Sequence, residues 1–266
     1  MVAPIWTMWL AGGVICVGVV AFGYFVWGPP GGVGPVDRRS GSVLLPKSVI
    51  DFSYWAVEPV VRGATFLGIR PNHVTLASVV VALLAAWAFT QQAWWLGLLL
   101  FGVASAADML DGYLARRMSL DSGQAGAFLD SFADRVTDSL FLGGIALSGA
   151  SPAATWLAVW ALVASLLISY ARARGEGLGV DCKVGLMQRP ERLAWLSLTI
   201  AAVGIAGIVG GPAAPAITLN VGLAILAILA TVTAVRRALW VIGALSEESR
   251  EETTTIPDGA RREVEQ

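Results

Sequence analysis

The chain has 266 residues, of which 56% are hydrophobic and 14% are charged, and its mean hydropathy is +0.70. These values exclude an ordinary soluble domain of this size and indicate a protein with several membrane spans. The net charge of −1 provides no bulk attraction to nucleic acid. Cys16 and Cys182 have no second cysteine or histidine at metal-ligand spacing nearby, so we expect two free thiols.

Seven apolar segments are long enough to cross a hydrocarbon core of about 30 Å at about 1.5 Å per residue. They are residues 5–27, 72–90, 93–115, 127–149, 153–171, 192–210 and 215–235. Only helices satisfy the backbone in lipid over such continuous apolar runs. The sequence therefore predicts seven transmembrane helices.

Four segments differ in composition. Residues 1–36 contain the first span and a Pro/Gly-rich link; the span is long for a signal peptide and has no basic n-region, so we expect a retained accessory helix. Residues 37–70 mix apolar and charged side chains, which predicts an amphipathic helix in the membrane interface. Residues 71–245 hold the other six spans. Residues 246–266 form a charged tail that we expect to be disordered.

The basic residues are distributed asymmetrically. The short connections at residues 90–92, 149–152 and 210–215 contain no lysine or arginine, whereas the basic residues fall in or beside the alternate connections and the C-terminal tail. By the positive-inside rule the alternate connections are cytoplasmic. We therefore expect the N-terminus outside and the C-terminus inside.

Four carboxylates and three small residues lie on helical faces on either side of a short polar turn. The spacing is i, i+3, i+4, i+7 on the third span and i, i+4, i+8 on the fourth. They are Asp108, Asp111, Gly112 and Ala115 on the third span, and Gly126, Asp130 and Asp134 on the fourth. We expect the two helices to be antiparallel neighbours, because the turn is short and the small residues allow close approach.

A carboxylate at membrane depth costs roughly 2.5–3.5 kcal/mol on insertion scales, so four of them need a compensating partner. Oxygen ligands without histidine or cysteine favour a hard divalent ion, Mg²⁺ or Mn²⁺, over zinc. Such ions bind phosphate-bearing substrates, and a diphosphate is the natural ligand. A transporter is the alternative, although transporters usually spread their acids over separate broken helices, whereas these acids are crowded at one turn beside Arg116 and Arg117.

The spacing D-x2-D-G-x2-A-R-x9-G-x3-D-x3-D resembles the signature of the CDP-alcohol phosphatidyltransferases at every fixed position. Its eight residues are Asp108, Asp111, Gly112, Ala115, Arg116, Gly126, Asp130 and Asp134. Pro71, Asn72 and Thr75 resemble the family's other common element. The resemblance covers about residues 70–240.

The resemblance implies an all-α integral membrane fold. It would be a six-transmembrane-helix bundle of the CDP-alcohol phosphotransferase type, here with an amphipathic interfacial helix and one extra N-terminal transmembrane helix. The implied reaction transfers the phosphatidyl group of CDP-diacylglycerol to a small alcohol and releases CMP, in phospholipid biosynthesis. A homodimer in a prokaryotic cell membrane, with its active site facing the cytoplasm, is also implied.

The resemblance also assigns roles to residues. Asp108, Asp111 and Asp130 would bind the metal, and Asp134 would be a further ligand or the general base, so that Asp130 and Asp134 form the catalytic pair. The CDP-lipid pocket would be lined by Asn72, Thr75, Asp108, Gly112, Ala115, Arg116 and Gly126.

Residues 169–193 are basic, and a positive-inside loop would explain this without any ligand. However, Arg189 and Arg192 flank Pro190 at a predicted helix N-terminus, where the macrodipole disfavours cations unless an anion is present. A phosphate there would satisfy the helix end and both arginines. Arg172 and Arg174 are two residues apart, so we expect one of them to reach the same pocket.

This loop resembles the corresponding region of the bacterial phosphatidylinositol-phosphate synthases, in which a similar arginine pair and R-P-E-R run binds inositol phosphate. The four acceptor-phosphate candidates are Arg172, Arg174, Arg189 and Arg192. Inositol phosphate is the expected acceptor, with glycerol 3-phosphate as the alternative and other alcohols left open. The intact acids disfavour a catalytically idle scaffold.

Three neighbours have simpler explanations. Asp138 continues the row of Asp130 and Asp134 by one turn, outside the signature, and we expect a supporting carboxylate more than a metal ligand. Asp121 is expected to be a local cap of the turn or a solvated residue. His73, the one histidine of the chain, is expected to hydrogen-bond at the interface and not to act as a base.

Overall fold

The structure is a computed structural model that describes residues 13, 47–117, 123–182 and 184–255. From residue 47 onward these residues form seven helices joined by short connections. They are α1 (Lys47–Phe66), α2 (Pro71–Thr90), α3 (Trp94–Arg117), α4 (Gly123–Ala146), α5 (Pro152–Glu176), α6 (Arg189–Val209) and α7 (Ala214–Thr255). No strand occurs in the described ranges.

Each of the six spans predicted after residue 70 coincides with one helix, α2 to α7. Among the described residues, α2, α3, α5, α6 and α7 are long and apolar enough to cross a membrane. Helix α4 differs because it carries Asp130, Asp134, Arg135 and Asp138 within 24 residues. The chain is thus an all-helical integral membrane protein. The predicted span at residues 5–27 lies outside the described residues.

Local sequence explains where the helices begin. Pro71 and Pro152 stand in the first turns of α2 and α5, where a missing N–H costs nothing. The hydroxyl of Ser151 caps α5 by accepting a hydrogen bond from the backbone N–H of Ala154 at 2.9 Å. At the same end of the bundle, the Gln92 side chain donates to the carbonyl oxygen of Ser148 at 3.0 Å and ties two turns together.

Helix α2 is the spacer of the bundle. Helices α3 and α4 each pack most extensively against α2 and make few contacts with each other, although the rings of Phe101 and Phe141 meet with centroids 4.4 Å apart. The prediction that α3 and α4 approach closely through Gly112, Ala115 and Gly126 is therefore wrong. The reason is that α2 presents its own small residues to α4.

The close approach of α4 occurs at Gly144. A Cβ atom on Gly144 would lie 2.6 Å from the backbone Cα and carbonyl oxygen of Ala86 in α2. Ala82 and Ala85, on the same helix, are fully buried. Small residues let two membrane helices pack backbone to backbone. This contact holds α4 against α2, with its acidic half extending beyond the contact.

Two boundary predictions have different outcomes. Helix α1 lies within the segment predicted to be an amphipathic helix and packs Val57 and Val61 against Leu110 and Leu114 of α3; its place in the membrane interface stays a prediction. The disorder predicted after Ser246 is not found as far as Thr255, because α7 continues to that residue. Residues 256–266 lie outside the described part of the chain.

The Gly144 contact gives a stability test. We expect Gly144→Ala to destabilise the protein by about 1–3 kcal/mol, because the added methyl group meets backbone atoms that cannot rotate away. The matched control is Gly143→Ala on the same helix, where a Cβ meets nothing within 4 Å. This control should be neutral or stabilising by up to about 1 kcal/mol. Thermal unfolding in detergent measures both, and equal melting temperatures would contradict the packing.

Candidate active site

The polar residues of the bundle gather at one end, which we call the acid end. Helices α3 and α5 finish there, and helices α2, α4 and α6 begin there. As a result Asp108, near the end of α3, Asp130 and Asp134, in the first half of α4, and Arg189, the first residue of α6, are brought together from three helices. The turn sequences at the opposite end contain no lysine or arginine.

Three carboxylates form a cluster that fits a metal ion. One carboxylate oxygen from each of Asp108, Asp130 and Asp134 lies within 4.8 Å of the other two. Asp130 is exposed and the other two are half-buried, so the cluster is open to solutes. Oxygen donors without nitrogen or sulfur suit a hard divalent cation. Three of the four predicted metal ligands are thus placed where they could share one ion.

Asp111, the fourth predicted ligand, has a different partner. Its side chain is buried, and its Oδ2 atom accepts a hydrogen bond from the Thr75 hydroxyl at 2.5 Å. The same hydroxyl lies 3.2 Å from the carbonyl oxygen of Pro71, within the first turn of α2, so its single proton is shared between two acceptors. The start of α2 therefore orients Asp111 beside the cluster, and a direct metal role for Asp111 stays a prediction.

The guanidinium of Arg189 enters the cluster from α6. It pairs with Asp108, its Nη1 atom is 3.0 Å from Oδ1 of Asp134, and its Nη2 atom donates to the Thr137 hydroxyl at 3.1 Å. Oδ1 of Asp134 is buried, and within the described residues it is ion-paired with this guanidinium. One arginine thus offsets the charge of neighbouring acids at the open end of the bundle.

A second, more buried arginine stands behind the first. Arg192 is 5% exposed, and its Nη2 atom donates to Oδ2 of Asp138 at 2.9 Å. The other oxygen of Asp138 lies 3.5 Å from Nε of Arg189. Asp138 therefore bridges the two arginines. Removing one member of such a buried pair leaves an uncompensated charge, which costs about 3–5 kcal/mol.

The other two predicted arginines lie elsewhere. Arg172 pairs with Glu176 at 2.8 Å on the exposed side of α5. Arg174 is exposed and lines an apolar groove of about 350 Å³ between α5 and α7. Of the four predicted arginines, only Arg189 and Arg192 have contacts with the acids in the described part of the structure. An acceptor role for Arg172 and Arg174 stays a prediction.

The remaining predicted residues flank the acid end. Asn72 and His73 are exposed at the start of α2, Gly112 is half-buried next to Asp111, and Gly126 is buried in α4. The side chains of Ala115 and Arg116, and the whole of Asp121, lie outside the described part of the structure, as does Cys16. Cys182 is a buried free cysteine in the α5–α6 connection.

Sequence reasoning missed Thr137 and the partners of Asp138, although it expected Asp138 to be a supporting carboxylate. Thr137 had no visible motif, and only the fold shows that it binds Arg189. Asp138 was visible as one more turn of the acidic row, but its partner on α6 is 54 residues away. The available signal for Asp138 was the pairing rule for buried charges, which requires a cation at that depth.

Known proteins are similar in sequence to most of this chain. A sequence model of the family described as CDP-alcohol phosphatidyltransferase matches residues 69–245. The phosphatidylinositol phosphate synthase of Cutibacterium acnes is 32% identical over 194 residues, which is 70% of this chain and 93% of that protein. The archaetidylinositol phosphate synthase of Methanothermobacter thermautotrophicus is 31% identical over 185 residues, covering 70% and 88%.

Solved structures agree with the sequence matches. The phosphatidylinositol phosphate synthase of Mycobacterium tuberculosis with CDP-DAG bound superposes with a TM-score of 0.61 at 28% identity, covering 69% of this chain and 92% of that one. The same enzyme in complex with manganese and citrate gives the same score and covers 69% and 87%. The acid cluster, the helical bundle and these matches together establish that the chain belongs to the CDP-alcohol phosphatidyltransferase family and is an enzyme of phospholipid synthesis.

Proposed function

We propose that the protein transfers the phosphatidyl group of CDP-diacylglycerol to a hydroxyl of inositol phosphate and releases CMP. The observation that carries this choice of acceptor is Arg189, which lies between the acid cluster and the buried Asp138–Arg192 pair. A guanidinium held in this way presents fixed donors to a phosphate next to a cation-binding cluster. The names of the relatives from Cutibacterium acnes and Mycobacterium tuberculosis support the same acceptor.

Asp108, Asp130 and Asp134 are proposed to hold a divalent cation, Mg²⁺ or Mn²⁺, with Asp111 beside them. When bound, the cation neutralises the charge of a diphosphate. The manganese complex of the Mycobacterium tuberculosis enzyme supports this assignment. Thr75 keeps the Asp111 carboxylate turned toward α2. Residues Asn72, Gly112, Ala115, Arg116 and Gly126 are proposed to line the CDP-lipid pocket with Thr75 and Asp108.

Asp134 is proposed as the general base. The acceptor hydroxyl attacks the β-phosphorus of the CDP-lipid, a new oxygen–phosphorus bond forms, and the phosphoanhydride bond to CMP breaks. The proton of the attacking hydroxyl passes to the carboxylate of Asp134. The CMP phosphate carries away the negative charge. Asp134 and Arg189 are adjacent, so the base and the acceptor phosphate would share one corner of the site.

The two arginines are proposed to have different tasks. Arg189 is partly exposed and contacts the acceptor phosphate, whereas Arg192 is 5% exposed and donates to Asp138 and to the carbonyl oxygen of Met187 at 3.2 Å. Arg192 therefore acts through Asp138, which orients Arg189. This differs from the expectation that both arginines bind the phosphate directly.

The membrane placement is also proposed. Helices α2 to α7 form a six-span bundle in which α4 crosses the membrane among apolar neighbours, preceded by an extra N-terminal span. The acid end faces the cytoplasm of a prokaryotic cell, because basic residues concentrate there and are absent from the turn sequences of the other end. We propose a homodimer by likeness to the family.

The proposed reaction is tested by measuring CMP release from CDP-diacylglycerol in detergent micelles with Mg²⁺ or Mn²⁺. We expect kcat/KM for inositol 1-phosphate to exceed that for inositol by at least about tenfold, since a charge-assisted hydrogen bond contributes about 1.5–3 kcal/mol. Glycerol 3-phosphate and serine complete the comparison. Equal rates with inositol or serine would refute a phosphate-selective site, and solute flux into liposomes without CMP release would indicate a transporter.

The metal assignment predicts the effect of one carboxylate. Asp130→Asn should reduce CMP release by at least about a hundredfold, because a neutral amide cannot replace an anionic ligand of the cation. The matched control is Glu58→Gln, a carboxyl-to-amide change in the exposed Glu58–Arg62 pair of α1. Full activity of Asp130→Asn would show that Asp130 is not a required ligand of the cation.

The acceptor assignment predicts a separation of kinetic constants. Arg189→Gln should raise KM for the acceptor by about tenfold or more. Arg189→Lys should give a smaller increase, because the ammonium group keeps the positive charge but lacks the two-pronged geometry of the guanidinium. Arg236→Gln, an exposed arginine of α7, is the control. Arg174→Gln tests the predicted acceptor role of Arg174 by the same measurement. A rise confined to KM for the CDP-lipid would contradict the role of Arg189.

A further inference from the structure

A second buried arginine of the bundle lies outside the acid cluster. Arg237 of α7 is 3% exposed, whereas its neighbour Arg236 is exposed. A cation in a bundle interior needs partners for its donors, because burial removes its hydration. The Nε atom of Arg237 donates to the carbonyl oxygen of Val184 at 2.8 Å, and Nη1 donates to that of Ile168 at 3.0 Å. Both partners are backbone oxygens, so this arginine binds chain segments to each other.

The Arg237 contacts join three parts of the fold. Ile168 belongs to α5, and Val184 lies in the connection between α5 and α6, residues 177–188. We call this connection the acceptor loop, because it leads into Arg189. A positive-inside role would require only exposure to the cytoplasm, as for Arg236. Arg237 instead uses its N–H donors to fix the acceptor loop against α5 and α7.

The same face of α7 holds the acceptor loop at two further points. The hydroxyl of Thr233 accepts a hydrogen bond from the backbone N–H of Met187 at 3.2 Å. The indole of Trp240 donates to the carbonyl oxygen of Asp181 at 3.3 Å. Thr233, Arg237 and Trp240 follow the spacing i, i+4, i+7, which places them on one helical face. This face therefore contacts the loop at Asp181, Val184 and Met187, from its middle to its end.

Close packing at Gly185 shows how tightly the loop lies on α7. The φ angle of Gly185 is +118°, a conformation that side chains disfavour, and a Cβ atom there would lie 2.4 Å from Cγ2 of Thr233. The loop backbone thus rests directly on α7 between two anchoring hydrogen bonds. A change in the contacts of Thr233 or Arg237 with the loop would therefore move the whole loop.

The acceptor loop ends in the active site. The carbonyl oxygen of Met187, whose N–H is held by Thr233, accepts from Nη1 of Arg192 at 3.2 Å. Two residues later Arg189 begins α6 and reaches the acids. Arg237 is therefore linked to the proposed acceptor site through the loop backbone from Val184 to Arg189, which is held by hydrogen bonds at Val184 and Met187.

We propose that Arg237 is a positioning residue for the acceptor half of the active site. By fixing the acceptor loop, Arg237 sets where α6 begins and hence where Arg189 meets the acceptor phosphate. This inference rests on the proposed function. It predicts an effect on acceptor binding with little effect on the CDP-lipid, whose proposed pocket is built from α2, α3 and α4.

The kinetic test compares three variants for CMP release, with each substrate varied in turn. Arg237→Met removes the donors, and Arg237→Lys keeps the charge but loses the fork. Arg236→Met is the matched control one residue away. We expect Arg237→Met to raise KM for the phosphorylated acceptor by about tenfold and KM for CDP-diacylglycerol by less than about twofold. Arg237→Lys should recover part of the loss, and the control should match the unaltered protein. Equal changes in both KM values, or no change in either, would overturn the inference.

A second readout does not depend on turnover. Cys182 lies in the acceptor loop and is fully buried, so its reaction with a maleimide reports on the loop in a Cys16→Ser background. We expect Arg237→Met to speed labelling by about tenfold and Arg236→Met to leave it unchanged. Unchanged labelling in Arg237→Met would overturn the loop anchor even if the enzyme is active.

If Arg237→Met does not yield folded protein, Thr233→Val replaces it. This nearly isosteric change removes the acceptor of the Met187 N–H and should shift both readouts in the same direction by a smaller factor; no shift would count against the inference. Absence of CMP release by the unaltered protein with every phosphorylated acceptor would instead refute the proposed function. The labelling result would then still decide whether Arg237 anchors the loop.

Discussion

The guanidinium of Arg189 lies among the carboxylates of Asp108, Asp134 and Asp138, and the organisation of the acid end depends on this contact. Carboxylates that approach each other inside a bundle repel and lose hydration, so the fold must supply a cation from another helix. Arg189 does this from the first turn of α6. Its position at a helix start also explains why an anion, either a carboxylate or a phosphate, is favoured there.

This requirement extends through the bundle. Helix α4 must bring its acids to the end where α3 finishes, and α2 sets their separation through the contact of Ala86 with Gly144. Helix α6 must start at the same level, which the acceptor loop and α7 determine. The packing of the helices therefore fixes where each helix begins or ends along the bundle relative to the acids. Apolar packing provides this precision, because the polar groups alone would allow several arrangements.

Much of this could be predicted from the sequence. Apolar runs gave the six helices after residue 70, and the spacing of Asp108, Asp130 and Asp134 predicted their shared site, because helix periodicity is a local property. Pro190 identified the start of α6 and singled out Arg189 and Arg192. The family resemblance then gave the reaction, and the matches to known relatives confirmed the family.

Other features could not be predicted because they depend on contacts between distant segments. Nothing local indicates that α2 separates α3 from α4, that Thr75 takes one oxygen of Asp111, or that Asp138 faces arginines. Composition grouped Arg172 with Arg189, although Arg172 pairs with Glu176 and Arg189 pairs with the acids. A buried arginine in an apolar helix, such as Arg237, was a visible signal, but its backbone partners in α5 and the acceptor loop were not.

In the proposed enzyme the carboxylates have two tasks: Asp108, Asp130 and Asp134 hold a divalent cation, while Asp138 holds the arginines. Direct titration of purified protein with Mn²⁺, with free Mn²⁺ followed by electron paramagnetic resonance, tests this claim without turnover. We expect Asp130→Asn to weaken Mn²⁺ binding by at least about tenfold and Asp138→Asn to change it by less than about threefold. Equal loss in the two variants, or no Mn²⁺ binding by the unaltered protein, would contradict it.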